Sequence, residues 1–294
     1  MATTTFAIGG LRLTRVLYVD TAIDPAATGL GADEVRGVAW GEPLWAEGGK
    51  VRVAACAWVI EGHGRTVVLD PMGNADEILH DPASAAAHQN AVRGAFRAAG
   101  IDPDAVDTVL LSHIESVGMI AMRASESGAE WRPFFPNSRI RMSAAARNSF
   151  PESPTTDFVR AAFTSLFAQG LVDTFADGEN IVDGLRAEWT GAHNPGHTVF
   201  HAGEPAELTF VGHLAVSPLH LATGPCLPQH PEPDRAWALL RSFAADGRML
   251  AGPLWPSPGA GRWVDGGFVA FDASRPGSFR ASGRPGASHA MEES

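Results

Sequence analysis

Three apolar stretches of this chain run directly into histidines. Val109–Leu111 is followed by Ser112, His113, Ile114 and Glu115. Trp189 and Thr190 lead into Gly191, Ala192, His193, Asn194, Pro195, Gly196 and His197. Leu208–Val211 leads into Gly212 and His213, and a fourth stretch ends in Leu69 and Asp70 before Pro71. Polar side chains just past a strand sit in loops at the mouth of a sheet, where chemistry is commonly placed. Histidine and carboxylate are the residue types that move protons or hold a metal. Two of the endings set glycine beside histidine, which allows a close backbone approach or an unusual turn.

The elements that must position these residues are readable in outline. Leu11–Asp20 and Val51–Glu61 alternate as strands, and Gly62–Gly64 turns the chain into a partner strand, Arg65–Asp70. Ala83–Ala99 has helical spacing and stops at Gly100, and Val106–Ser112 is a short apolar strand. Arg139–Met142 reads as a strand, with helices over Ser143–Phe150 and Thr155–Gln169. The second half continues with strands at Leu185–Thr190, His197–Ala202 and Leu208–Val211, a helix over Asp234–Asp246, and strands at Met249–Gly252 and Gly267–Phe271. Residues 1–272 therefore read as one domain of two β-rich halves, and residues 273–294, rich in Ser, Gly, Arg and Pro, as a disordered tail.

Composition narrows the function. Of 294 residues, 33 are acidic and 22 basic, and the net charge of −11 argues against nucleic acid and anionic membranes as partners. Hydrophobic residues make up 45 %, enough for a folded core. Cys56 and Cys226 are the only cysteines, so a thiolate zinc cluster is excluded and two buried thiols are expected. Any metal must rest on histidine and carboxylate. Met1–Gly10 has no basic segment leading into a long apolar run, and no apolar run approaches the roughly 20 residues that span a bilayer. The expected location is the cytoplasm and the expected partner a small-molecule substrate, with homodimerisation left open.

The order and spacing of these stretches resemble the metallo-β-lactamase superfamily, closest to its lactonase and organophosphate hydrolase branch. VVLDPMG (Val67–Gly73) resembles the family's strand ending in Asp before Gly, and VDTVLLSHIE (Val106–Glu115) sits where the family carries its histidine-rich metal motif. FPNSRIR (Phe135–Arg141) resembles the stretch after that motif, and GAHNPGHT (Gly191–Thr198) resembles GHTPGHT. FVGHLAVSPLHL (Phe210–Leu221) resembles the strand followed by Gly-Asp, and AGPLWPSPGAG (Ala251–Gly261) the late stretch with a histidine before Phe-Pro. The resemblance implies an αββα sandwich. It also exposes departures. Where the family has HxHxDH, this chain has His113, then Glu115 for the second histidine, and Val117 and Gly118 arrive two residues early. His193 matches the later histidine, His213 stands for the bridging Asp, and Leu254 for the last histidine.

A two-metal mechanism is therefore not expected. His113, Glu115, His193 and His213 remain, a chemically sensible set of ligands for a single zinc or other divalent cation. The shortened turn beside Glu115 is expected to distort that geometry and tips the reading toward a metal-free site. There, Glu115 would act as base and His213 or His193 as acid or oxyanion partner, in an elimination, isomerisation, cyclisation or decarboxylation. With one metal, the reaction would be hydrolysis of an ester, lactone or thioester. The rival is an inactive binding or regulatory protein that keeps the fold. Asp70 is expected to orient a histidine and His197 to hold its loop, with Trp45, Phe135, His220 and Trp255 lining an apolar pocket. Taken singly, Trp40, Trp45, Trp131, Phe134, Phe135 and Trp255 read as core by default, and it is several of them together near strand ends that would line such a pocket. His201 and His63 are expected in solvent, and His80, His88, His230 and His289 have no partner pattern.

Overall fold

The fold follows from two sheets whose inward faces are apolar in alternate positions. In the computed structural model, residues 3–71, 81–124, 130–153, 155–225 and 231–272 are described. Cys226, His80, His230, His289 and the tail from residue 273 lie outside them.

The first sheet is built on β1 (Thr4–Ile8), β2 (Leu11–Ile23), β3 (Ala46–Glu47), β4 (Lys50–Gly62), β5 (Arg65–Leu69) and β6 (Thr108–Leu110). A two-stranded ribbon, β7 (Ala121–Arg123) and β8 (Trp131–Pro133), follows, and β9 (Arg139–Ser143) and β10 (Val172–Phe175) complete the sheet. Its order is β1-β2-β4-β5-β6-β9-β10, with β3 on β4. The second sheet comprises β11 (Asn180–Val182), β12 (Leu185–Trp189), β13 (Thr198–Ala202), β14 (Leu208–Phe210), β15 (Met249–Ala251), β16 (Ala260–Val264) and β17 (Gly267–Ala270), in sequence order. The helices are α1 (Ala32–Gly37), α2 (Pro82–Ala98), α3 (Ala144–Ser149), α4 (Asp157–Ala168), α5 (His220–Thr223) and α6 (Pro233–Ala245).

Three cores stack these layers. Between the sheets, Leu11 and Leu13 of β2 and Trp58 and Ile60 of β4 meet Leu185, Phe200 and Phe210 of the second sheet. On the outer face of the first sheet, Val16, Ala57, Val59 and Val68 pack on Val92 and Phe96 of α2, and Val159, Phe163 and Leu166 of α4 join that core. On the outer face of the second sheet, Val199, Val211 and Leu250 pack on Ala236, Leu240, Phe243 and Ala244 of α6. Those four α6 positions form one helical stripe, which hides the helix's apolar face. The result is the αββα sandwich. Burying each large aliphatic or aromatic side chain contributes about 1.5–3 kcal/mol.

Helix α2 shows how sequence sets an element. Asp81 caps it by accepting the Ser84 N–H at 2.9 Å, proline occupies the first turn, and Gly100 at φ 77° follows its end. The elements not anticipated are short or edge pieces, namely β1, β3, the β7–β8 ribbon, β10, β11, β16, α1 and α5. Such segments carry too few residues for a period to show.

The sheets meet at the strand ends. The Asp70 N–H donates to Leu110 O (2.9 Å), joining the ends of β5 and β6, and the Thr198 N–H donates to Ser112 O (2.9 Å), joining β6 to β13 across the sandwich. The loops after β6, β12 and β14 therefore converge on one edge.

Candidate metal centre

At that edge, His113, Glu115, His193 and His213 each present one ligand atom, and the four atoms lie within 4.8 Å of one another. Glu115 Oε2 is their common neighbour, 3.2 Å from His113 Nε2, 3.9 Å from His193 Nε2 and 2.6 Å from His213 Nδ1. The three imidazoles are buried, whereas the Glu115 side chain is 45 % exposed. The carboxylate is thus the wet side of the group.

Hydrogen bonds behind the ligands fix their rings. Asp70, buried at φ 42°, accepts the Ser112 N–H at 2.8 Å and also a bond from the Ser112 hydroxyl. That hydroxyl, having given its proton to Asp70, accepts from His113 Nδ1 at 2.8 Å. The arrangement leaves His113 Nε2 turned toward Glu115, the carboxylate–histidine relay typical of metal-ligating histidines. On the other side, the His213 N–H donates to His197 Nε2 at 3.1 Å, which places the His197 proton on Nδ1, where it is donated to Thr190 Oγ1 at 2.7 Å. His197 thereby ties the loop after β12 to the turn after β14. Gly212, at φ +53°, makes this contact sterically allowed, because a Cβ there would fall 2.6 Å from His197 Nε2 and 2.9 Å from Ser112 Oγ. Gly196 meets the same constraint against Ala146 of α3, and its carbonyl accepts from Ser143 Oγ at 2.7 Å.

The electrostatics follow from this crowding. Burial works against ionising Glu115, but the charge and hydrogen bonds of His213 and His113 outweigh it and hold the carboxyl far below the usual range. Burial likewise opposes protonation of His113, yet the bond and charge of Glu115, with Asp70 behind, raise it above the ordinary imidazole value. Burial pushes the Asp70 carboxyl up.

The four ligand atoms fit one cation. Facing atoms in a tetrahedral zinc site with bonds of about 2.0–2.2 Å stand somewhat over 3 Å apart. Glu115 Oε2 keeps that spacing from His113 Nε2 at 3.2 Å, while its 2.6 Å to His213 Nδ1 and 3.9 Å to His193 Nε2 bracket it, so modest side-chain shifts bring the set onto one ion. Among the described residues no second such group occurs. Leu254, at the position where the resemblance puts a last histidine, packs with Val53 against Val216 instead.

The pocket-lining residues expected from sequence are placed otherwise. Trp45 and Trp255 are fully buried, T-shaped to each other and to Phe268, and Trp255 Nε1 donates to Ala215 O at 3.0 Å. Phe135 is fully buried between Phe96 and Phe134. No face of these rings is open to a ligand, because the loops that carry them fold onto the core. His220 is also fully buried, and burial drops it to about 4, so the ring is neutral. His201, expected in solvent, is buried under α6 between Thr209 and Glu188. Lining the cleft beside the group are Leu111 and Ile120, with Asp70, His113 and Glu115. Leu111 ends the apolar run that leads into His113, whereas no sequence period marks Ile120.

No protein-family model matches the sequence, and no curated protein matches it. Solved structures do match its shape. A hydrolase of the beta-lactamase superfamily, AbOPH, superposes with a TM-score of 0.71 at 17 % identity, covering 92 % of this chain and 97 % of the other. AidC, a dizinc quorum-quenching lactonase, gives 0.68 at 14 % identity over 92 % and 97 %. A probable metal-dependent hydrolase from Staphylococcus aureus gives 0.63 at 12 % over 91 % and 99 %. The chain is thus similar in shape to these hydrolases over nearly its whole described length, and it has the metallo-β-lactamase fold.

Proposed function

We propose that this chain is a hydrolase that works with a single divalent cation held by His113, Glu115, His193 and His213, and that it cleaves an ester, lactone or thioester of a small, mostly apolar compound. The observation that carries this reading is the convergence of three imidazole nitrogens and one carboxylate oxygen within 4.8 Å. The shortened turn beside Glu115 leaves that carboxylate on the three imidazoles, so the distortion expected from sequence does not remove the ligand set. When bound, a divalent cation supplies Lewis-acid polarisation of the scissile group and a water of lowered pKa as nucleophile.

The chain's own residues then have separable tasks. Ser112 and Asp70 hold the His113 ring with Nε2 inward. His197 and Thr190 hold the loop of His193 and the backbone of His213 in register. Leu111 and Ile120, both buried, back the group with apolar packing. Half-exposed Glu115 is the ligand through which solvent and substrate approach. The metal-free alternative asks Glu115 to act as a base, but a carboxyl held ionised so far below its usual range is a weak one.

The test is turnover. The purified full chain, loaded with zinc, manganese, iron or cobalt in turn, is assayed by pH-stat on short-chain aryl esters, acyl lactones and acyl thioesters. Hydrolysis of at least one class, abolished in His193→Ala and Glu115→Ala, is the expected result. Absence of hydrolysis with every cation, or turnover unchanged in both variants, overturns the proposal.

A further inference from the structure

A second cleft, of about 300 Å³, lies between α3 and α4. Phe150 and Phe167 form its floor, their rings edge-on at 5.3 Å, and Pro151 and Thr164 line it with Arg147 and Arg160. The Arg147 guanidinium lies on the face of Phe167, its carbon 3.3 Å from the ring centroid, and its Nη1 is buried with no hydrogen-bond partner. Arg160 donates to the carbonyls of Pro151 (3.1 Å) and Ser153 (3.0 Å), neutral acceptors that leave its charge uncancelled. Among the described residues, neither guanidinium has a carboxylate within 4.0 Å, although the chain carries an excess of acidic groups.

Two uncompensated cations over an aromatic floor define a ligand chemistry. Arginine stacked on a ring keeps its in-plane donors free to fork onto a carboxylate. The aromatic floor adds an attraction for a flat or apolar body. A volume near 300 Å³ sits at the small end of ligand pockets, which limits the guest to roughly a single ring or a short acyl chain. We propose that this cleft binds a small organic anion, an aryl or short acyl carboxylate, with the carboxylate on Arg147 and Arg160 and the apolar body on Phe150 and Phe167. It shares no residue with the candidate metal centre, so the proposal stands apart from the hydrolase reading.

The test is calorimetric titration of the full chain with benzoate, inorganic phosphate and benzyl alcohol. Saturable benzoate binding is expected, at least tenfold tighter than either other probe and weakened at least tenfold in Arg147→Gln and in Arg160→Gln. Thr164→Trp, which fills the cleft from an exposed helix position with both arginines intact, is expected to abolish it, and circular dichroism identifies any variant that fails to fold. No saturable benzoate binding, binding that persists in Thr164→Trp, or phosphate or benzyl alcohol binding as tightly as benzoate overturns the proposal.

Discussion

Two regions of this molecule bury histidine against glutamate, and they do so in different ways. On the outer face of the second sheet, both ring nitrogens of His201 are matched, Nδ1 by Thr209 Oγ1 at 3.0 Å and Arg248 Nη1 at 3.4 Å and Nε2 by Glu188 Oε2 at 2.9 Å, with Phe243 of α6 packed on the ring. At the strand ends, three imidazoles turn toward one carboxylate oxygen, that of Glu115. A histidine whose two nitrogens are each matched is satisfied and serves packing. Imidazole and carboxylate lone pairs turned on one another are the arrangement a cation completes. The first region should therefore govern stability, and the second metal and turnover.

The largest effect that sharpens this contrast is loss of a ligand. Glu115→Ala is expected to lower turnover by about a hundredfold or more, measured as kcat/KM on whichever ester or lactone is cleaved, because it opens the shared centre. Glu188→Ala should leave kcat/KM unchanged. Next come the residues behind the ligands. Ser112→Ala and Thr190→Val are each expected to weaken cation affinity about 10–100-fold, measured by competition with a chelating dye, because they free the rings of His113 and His197.

Acidity should separate the regions too. His113 is raised above its ordinary value, so protons compete with a cation even above the ordinary imidazole range. Affinity is expected to climb as the pH rises through and beyond that range, by up to about tenfold per unit for each proton displaced. Glu188 has the opposite sense. The hydrogen bond from His201, partly offset by burial, lowers it from 4.5. Its contribution to stability is present above that value and fades as the pH falls through the lower folded one. In an unfolding titration at neutral pH, Glu188→Ala should cost about 1 kcal/mol, the ordinary worth of a partly exposed hydrogen-bonded pair. Smallest of all, Arg139→Ala removes an exposed bidentate pair with Asp173 and should shift stability by about 1 kcal/mol or less, with no change in cation binding.

Much of the site was legible before the fold was seen, for a physical reason. Short apolar runs ending in Ser112-His113, Thr190-Gly191 and Gly212-His213 are strands whose ends share an edge, so their polar termini must meet. Trp45, Phe135 and Trp255 stand between core and pocket in the sequence, because sequence does not say where a loop folds, and the structure places them in the core. Trp45 and Trp255 come from stretches rich in Gly and Pro, yet they interlock beneath the second sheet's outer core. His201 was misread for the complementary reason. It looks like a polar strand residue, and only the seating of α6 over β13 shows that it is covered. The spacing beside Glu115 told of a shortened turn but not that its carboxylate still reaches all three rings.

The most direct test of the contrast is cation stoichiometry. Chelator-stripped full-length protein is titrated with zinc by calorimetry, with elemental analysis of the dialysed complex, for the unaltered chain, His193→Ala, His213→Ala and Glu188→Ala. The account predicts one equivalent in the unaltered chain and in Glu188→Ala, and its loss in the two histidine variants. Saturable binding of no cation, of two, or of one that survives both histidine replacements would contradict it.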